Sequence, residues 1–284
     1  MLIFISMLIA CKTTDKNIID DYVDPMSIDL IFDFTKQIPG PFVEITIGGQ
    51  KYIAFVDTGN TSSVISISDE IIGEYSLLPA GYQRSITTSG EVINTQYLLP
   101  EFSIPGIKDF RDVVCTSMPP KNYAPNEKPD AILGLSAFYD YNILIAYNEK
   151  KLYLYEKIFA YDYFSNWAAI DLLPDRSGLF FYGQINSDEN PYLFYLDTGT
   201  FVRIRGQLYD QVLNQKIASD LTSSDEEIIF VFGGERIYNN KLFAVRTNNM
   251  TDVDIFLGLN FLLNNNVFID LGNKKILIKK EEIL

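Results

Sequence analysis

Short apolar runs that alternate with polar positions recur along the chain, and most of them end at Gly, Pro, Asn or Asp. Such alternation between turn residues is typical of β-strands. Phe42–Ile47 leads into a Gly-Gly hairpin signal and Lys51–Val56 returns from it, while Phe180–Ile185 and Tyr192–Leu196 form a second such pair. Helical periodicity is confined to 70–75, 207–217 and the residues directly after Gly134 and Gly258. The pattern predicts an all-β fold.

Two apolar runs end in the same tripeptide, Asp-Thr-Gly, at Asp57–Gly59 and Asp197–Gly199. An exposed turn after an edge strand would account for either copy alone. A second pair of motifs, Ala131–Leu135 and Ile255–Leu259, begins a gap-free match at an offset of 124 residues (258 − 134 = 124). An internal repeat of this length indicates two copies of one structural unit.

The start of the unit repeats as well, because Ile28–Leu30 precedes the first tripeptide by about as much as Ile170–Leu172 precedes the second. We therefore predict an N-terminal lobe at residues 28–157 and a C-terminal lobe at residues 158–284. Two copies of one unit can be related by a pseudo-twofold axis, which predicts an all-β chain of two similar lobes.

Two aspartates delivered by two copies of one unit can face each other across such an axis. Like charges held close together cannot both ionise cheaply, so the pair shares a proton. Asp57 and Asp197 are therefore the predicted catalytic residues, one acting as acid and the other as base on a water molecule. This chemistry needs no metal ion and no organic cofactor.

Composition narrows the function further. The chain has no histidine, which excludes Ser-His and Cys-His nucleophiles, His-based zinc sites and the facial-triad iron site. Its net charge of −14 argues against nucleic-acid binding. A glycosidase also uses two carboxylates, but that alternative predicts neither a repeated tripeptide nor a matched Gly segment. Cys115, with no His to activate it, is predicted to be a small apolar side chain on a strand.

Asp-Thr-Gly followed by an apolar-apolar-Gly segment resembles the retropepsin and pepsin-type aspartic proteases. The second half is the closer match, since Ile255–Leu262 is similar to the Ile-Ile-Gly-Arg-Asn-Leu-Leu-type segment of retroviral proteases. The resemblance covers roughly residues 28 to 280 and looks like the retropepsin unit duplicated in one chain. It implies two β-barrel lobes related by a pseudo-twofold axis, with the active site between them. It also implies a monomeric aspartic endopeptidase that binds a peptide or protein substrate in extended form.

In that family the Thr hydroxyl hydrogen-bonds across to the other lobe and the Gly allows close backbone approach. The resemblance assigns these supporting roles to Thr58, Gly59, Thr198 and Gly199. Asn60 departs from the Ala, Ser or Thr that usually follows the tripeptide, which changes the expected local hydrogen bonding.

The family also folds a β-hairpin flap over the substrate. Ser89 and Gly90 in the first half, and Gly233 and Gly234 in the second, are the candidate flap and substrate-binding residues. Ordinary hairpin turns would have the same sequence, so both interpretations stay open.

The amino terminus is apolar from Leu2 to Cys11, which is too short to span a bilayer as a helix. Leu8–Cys11 resembles a bacterial lipobox, in which cleavage precedes the Cys and that Cys carries the lipid. We predict a signal peptide at residues 1–10, a tether at 11–27 and a lipid anchor at Cys11. These place the enzyme in the bacterial cell envelope, periplasmic or surface-exposed.

Four alternatives stay open. No Lys or Arg precedes the apolar run, so a plain secretory signal or a misassigned start also fits. The chain could also be a non-catalytic, peptide-binding envelope lipoprotein that keeps the protease fold, or a structural lipoprotein.

Overall fold

The computed structural model describes residues 25–36, 39–87, 90–118, 128–156, 164, 166–186, 188–205, 208, 221–224, 228–239, 242–245 and 252–279. Within these ranges strands dominate, and the all-β prediction is confirmed. The helices that lie wholly within these ranges are α1 (Asp69–Glu74) and α2 (Leu259–Leu262), and 3₁₀ turns lie at Leu135–Phe138 and Tyr147–Glu149. The predicted leader with Cys11, and nearly all of the 207–217 helix candidate, lie outside the described residues.

The first lobe is built on a seven-stranded sheet in the order β2-β3-β8-β4-β7-β6-β5. Its first hairpin turns at Gly48 and Gly49, whose positive φ angles of 54° and 84° match a turn that favours glycine. The strands are β2 (Phe42–Ile47), β3 (Gln50–Asp57), β4 (Ile65–Ile67), β5 (Pro79–Thr87), β6 (Gly90–Ile104), β7 (Lys108–Ser117) and β8 (Ala131–Gly134).

The second lobe is built on an eight-stranded sheet in the order β15-β18-β14-β19-β13-β12-β16-β17. Its first hairpin is tighter than predicted, because Ile185 already pairs with Asp188 and the return strand starts four residues before Tyr192 (192 − 188 = 4). The strands are β12 (Phe180–Ile185), β13 (Asp188–Leu196), β14 (Arg203–Arg205), β15 (Leu221–Ser224), β16 (Ile228–Phe232), β17 (Glu235–Asn239), β18 (Leu242–Val245) and β19 (Ile255–Leu257).

A six-stranded sheet joins the lobes, in the order β1-β10-β9-β20-β21-β11. Its first three strands come from the first half of the chain and its last three from the second half. They meet where β9 and β20 pair antiparallel, with Ile145 opposite Val267. The strands are β1 (Met26–Asp29), β9 (Tyr141–Ala146), β10 (Lys151–Glu156), β11 (Ala168–Asp171), β20 (Val267–Asp270) and β21 (Lys275–Ile278).

Positions matched by the sequence repeat take equivalent pairings in the two lobes. β3 runs parallel to β8, and β13 runs parallel to β19, so that Val56 lies opposite Leu133 and Leu196 lies opposite Leu257. At the outer strands of the joining sheet, the ion pair Asp29–Lys151 has its counterpart in Asp171–Lys275.

The core follows from the alternation that predicted the strands. In β2, Val43, Ile45 and Ile47 are buried while Glu44 and Thr46 are partly exposed. Each such buried aliphatic side chain contributes roughly 1.5–3 kcal/mol relative to exposure. One apolar cluster runs through both lobes and the joining sheet, so the parts that carry the two tripeptides are packed as one body.

None of the helices in the described ranges has the length and hydrophobicity needed to cross a bilayer.

Candidate active site

Parallel strand pairs position the two predicted aspartates. Asp57 is the last residue of β3 and lies opposite Gly134 of β8. Asp197 follows β13 directly, and its N–H donates to the Leu257 carbonyl over 2.9 Å. Both aspartates are half-buried. Each carboxylate therefore stands at the end of a buried strand, on a backbone held by a second strand.

The two carboxylates face the opposite lobe. A Cβ atom added to Gly59 would lie 2.6 Å from the carboxyl carbon of Asp197, and one added to Gly199 would lie 2.7 Å from that of Asp57. Only a glycine leaves room for this approach, because real Cβ atoms do not come so near another heavy atom. The structure thus brings both tripeptides to one site.

Each carboxylate also accepts a hydrogen bond from its own tripeptide. The Gly59 N–H donates to Asp57 Oδ1 over 2.9 Å, and the Gly199 N–H donates to Asp197 Oδ1 over 2.8 Å. These near-equal bonds hold the two side chains in matching orientations.

The two threonines bind the lobes together below the carboxylates. The Thr58 N–H donates to Thr198 Oγ1 over 2.9 Å, and the Thr198 N–H donates to Thr58 Oγ1 over 3.0 Å. The Thr198 hydroxyl donates to the Val56 carbonyl over 2.8 Å, and the Thr58 hydroxyl donates to the Leu196 carbonyl over 3.3 Å. Both threonines are buried, so the four bonds are shielded from water.

Thr198→Val should lower the free energy of unfolding by about 2–4 kcal/mol, because it leaves the buried Thr58 N–H and Val56 carbonyl without partners. Thr198→Ser keeps the hydroxyl and should stay within about 1.5 kcal/mol of the wild type. Denaturant unfolding of the two variants checks this. Equal stability of the Val and Ser variants would contradict the role given to these bonds.

The second repeated motif supports the loops that carry the aspartates. A Cβ atom on Gly134 would lie 2.2 Å from the Ser63 carbonyl oxygen, and one on Gly258 would lie 2.0 Å from that of Thr200. The backbone at Gly134 and at Gly258 therefore packs directly against the loop that follows the tripeptide of the same lobe. Each tripeptide is accompanied by a Gly segment in the sequence because this close packing leaves no room for a side chain at that glycine.

Asn60, the departure from the family pattern, takes part in a local polar cluster. Its side-chain amide donates to Ser63 and Ser66 over 3.3 and 3.4 Å, and its carbonyl accepts from Ser62 over 3.1 Å. Ser66 also shares a 2.8 Å hydrogen bond with Thr116. The amide thus ties the first loop to β4 and β7.

Two tyrosines near the aspartates were not predicted as site residues. The Tyr195 hydroxyl donates to the Gly59 carbonyl over 3.0 Å, and burial raises its pKa well above the usual range, with further increases from Asp197 and Asp57. Tyr147 is fully buried beside Thr198, and burial raises its pKa too. Its hydroxyl has no partner of standard geometry within the described residues. Tyr195 lies two residues before Asp197, so strand alternation could have found it.

The first candidate flap is a β5–β6 hairpin that stands beside the first dyad loop. Its strands pair from Pro79 to the end at Thr87 opposite Gly90, and Gln83 donates to the Ser62 carbonyl over 2.6 Å. Ser89, at its turn, lies outside the described residues. The hairpin prediction is confirmed for the strands, and the flap role stays a prediction.

The second flap assignment is wrong. Gly233 and Gly234 do form a hairpin turn, between β16 and β17, but a Cβ atom on Gly233 would lie 2.8 Å from the Ala169 carbonyl oxygen in the joining sheet. β16 pairs with the end of β12 as the last part of β6 pairs with the end of β2. The turn is therefore equivalent to the β6–β7 turn, which is not the flap turn. A Gly-Gly signal predicts a turn and not which hairpin it closes.

Cys115 has the predicted structural role. It is fully buried on β7, and burial raises the pKa of its thiol to about 11. A thiol with this pKa is not a nucleophile at neutral pH.

Comparison with known proteins agrees with this geometry. Residues 43–137 match a family model described as aspartyl protease, a range that contains the first tripeptide and its Gly segment. No curated protein matches the chain. The fold is the all-β, two-lobed fold of aspartic proteases, and the matched model supports an aspartic protease family for this chain.

Proposed function

We propose that the chain is an aspartic endopeptidase that hydrolyses peptide bonds with a water molecule activated by Asp57 and Asp197. The observation that carries the proposal is the mutual approach of the tripeptides, in which each carboxylate lies against the glycine of the other lobe. Two carboxylates in such a place share one proton, which provides an acid and a base in one site.

In the proposed reaction the ionised aspartate takes a proton from the water as the water oxygen attacks the peptide carbonyl carbon. The protonated aspartate gives its proton to the carbonyl oxygen. Collapse of the resulting gem-diol breaks the C–N bond, and the amine leaves with a proton from the dyad. No covalent bond forms between substrate and enzyme.

We also propose that one chain is a complete enzyme and that it contains a duplicated unit. Support comes from the equivalent strand pairings of the lobes and from the four threonine hydrogen bonds, all of which lie within one chain. A homodimer would supply the same bonds between subunits. Activity per chain should therefore be independent of protein concentration.

Hydrolysis should follow a bell-shaped pH profile with its maximum at acid or mildly acidic pH. The reaction needs one shared proton, so the rate falls when the dyad loses that proton at high pH and when it gains a second at low pH. Turnover of a fluorogenic peptide library across pH checks this, with inhibition by a statine-type peptide as the confirming test. A rate that climbs steadily through alkaline pH would point to another nucleophile.

A non-catalytic peptide-binding protein with the same fold is the second candidate, because the hydrogen bonds of the buried threonines would stabilise this fold with or without turnover. It would bind the statine-type peptide without hydrolysing any member of the library. The two candidates therefore differ in turnover and agree in binding.

We propose that lipid at Cys11 holds the protein in the bacterial cell envelope. Cys11→Ser should abolish labelling by a fatty acid and release the protein from membranes, because several acyl chains are needed for stable anchoring. Labelling and detergent fractionation of the full chain measure this, with Cys115→Ser as the matched control that should keep the label. Equal labelling of the Cys11 variant and the wild type would contradict the anchor.

A further inference from the structure

One face of the eight-stranded sheet carries a row of aromatic side chains beside the aspartates. Phe180, Tyr195 and Phe256 come from the neighbouring strands β12, β13 and β19. The Phe180 and Tyr195 rings stack with centroids 4.2 Å apart, and the Phe256 ring meets Tyr195 edge-on at 5.6 Å. Because Tyr195 also bonds to Gly59, this row borders the dyad. We call it the dyad face of the second lobe.

Arg203 continues the dyad face on β14. It lies directly opposite Phe256 in the antiparallel pair β14–β19, and directly opposed residues project from the same face of a sheet. Its neighbour Ile204 is buried in the core, so Arg203 points away from the core. Burial lowers the pKa of Arg203, and the charge of Asp197 partly offsets that effect. The guanidinium therefore lies within electrostatic reach of the dyad.

No carboxylate of the described residues forms an ion pair with Arg203. The other two arginines near this face both have one, Arg176 with Asp252 and Arg205 with Asp254. A half-buried cation with no carboxylate in direct contact is costly, because burial removes part of its hydration. A carboxylate brought by a ligand would supply both the charge and the hydrogen bonds that a guanidinium accommodates in pairs.

The first lobe has an equivalent row of apolar side chains, but no cation continues it. Phe42, Phe55 and Ile132 lie on β2, β3 and β8 in pairings equivalent to those of Phe180, Tyr195 and Phe256.

The counterpart of Arg203 in the first lobe is Ser66, opposite Ile132. Ser66 is buried and already bonded to Thr116. At these equivalent positions the second lobe therefore carries a cation and the first lobe a neutral hydroxyl.

We propose that Arg203 makes the enzyme prefer substrates with an Asp or Glu side chain close to the scissile bond, on the side bound by the second lobe. This inference rests on the proposed endopeptidase function and names its substrate class. The substrate carboxylate pairs with the guanidinium, which is only partly buried where it continues the row beyond the buried Phe256 ring. In a chain with a net charge of −14, this local cation offsets the repulsion of an acidic peptide.

The test uses peptide pairs that differ only by Glu or Gln at one position, with the substitution moved in turn through the positions around the cleaved bond. For one position, wild-type kcat/KM should be greater for Glu by about tenfold or more, the usual range for hydrogen bonds to a charged group. Arg203→Ser, which installs the residue of the first lobe, should bring the ratio close to one. Arg203→Glu should reverse the charge preference, so that a peptide with Lys at this position is hydrolysed faster than the Gln peptide. The ratio cancels any effect of Arg203 on the dyad, because both peptides meet the same dyad.

Arg111→Ser is the matched control, since Arg111 is exposed on β7 and its loss removes the same charge. It should leave the Glu-to-Gln ratio unchanged. A wild-type ratio near one at every position would overturn the proposal, as would an unchanged ratio in Arg203→Ser.

Binding separates this proposal from the proposed function. Statine-type peptides with Glu or Gln at the same positions can be titrated calorimetrically into wild type, Arg203→Ser and Arg111→Ser. If nothing is hydrolysed but the Glu peptide still binds more tightly through Arg203, the endopeptidase proposal fails and the acidic preference stands. If peptides are hydrolysed with no Glu preference, the endopeptidase proposal stands and the acidic preference fails. If no statine-type peptide binds at all, both fail.

Discussion

Asp57→Asn and Asp197→Asn should each reduce peptide hydrolysis by roughly four orders of magnitude or more, while leaving the protein folded. The carboxamide has nearly the same shape, and its oxygen can still accept the hydrogen bond from the glycine N–H two residues on. It can neither ionise nor pass the shared proton. Turnover of a cleaved peptide, together with the denaturant midpoint of each variant, measures both parts of the prediction.

Asp29→Asn is the matched control for charge and side-chain type. Its side chain is 89% exposed and pairs with Lys151 at the outer strand of the joining sheet, away from the tripeptides. Turnover should stay within about twofold of the wild type, because single exposed ion pairs contribute little. Wild-type turnover in either dyad variant would remove that aspartate from the mechanism.

Gly59→Ala and Gly199→Ala should each lower turnover at least about a hundredfold and destabilise the fold by roughly 1–3 kcal/mol. The added methyl carbon would stand 2.6 Å from a carboxylate oxygen of the opposite lobe. To accommodate it, the lobes must separate or the carboxylates must turn. Either response moves the reacting groups out of alignment.

Gly73→Ala provides the comparison. Gly73 lies in α1, where the added carbon would meet no atom within 4 Å apart from its chain neighbours and the backbone of its own helix, so the same change should be neutral or stabilising by up to about 1 kcal/mol. Turnover and thermal unfolding of the three alanine variants can be measured side by side. If Gly59→Ala behaves like Gly73→Ala, the close approach of the two tripeptides is not needed for function.

The strands and the tripeptides were predictable because their signals are local. Alternation such as Val43, Ile45 and Ile47 follows from a two-residue period and one buried face. The repeat at an offset of 124 residues joins two such signals, and symmetry then predicts that the two copies meet. The α1 helix was found in the same way, with Ser68 accepting a hydrogen bond from the Ile71 N–H at its start.

The error at Gly233 and Gly234 shows the limit of local signals. The turn is where the Gly-Gly pair predicts it, but its neighbour in space is Ala169, more than sixty residues away in the chain (233 − 169 = 64). The number of residues between Asp197 and Gly233 is similar to the number between Asp57 and Gly90. This similarity does not show which of two successive hairpins contains the turn.

The sequence by itself determined the all-β class, the two tripeptides, their Gly segments and the absence of histidine chemistry, since each depends on residue type and spacing. Only the tertiary structure decided which side chains surround the dyad. Arg203 lies on the dyad face because β14 pairs with β19, and Tyr195 bonds to Gly59, which is 136 residues away along the chain. Such neighbours come from strand order and lobe packing, which the periodicity of a chain does not encode.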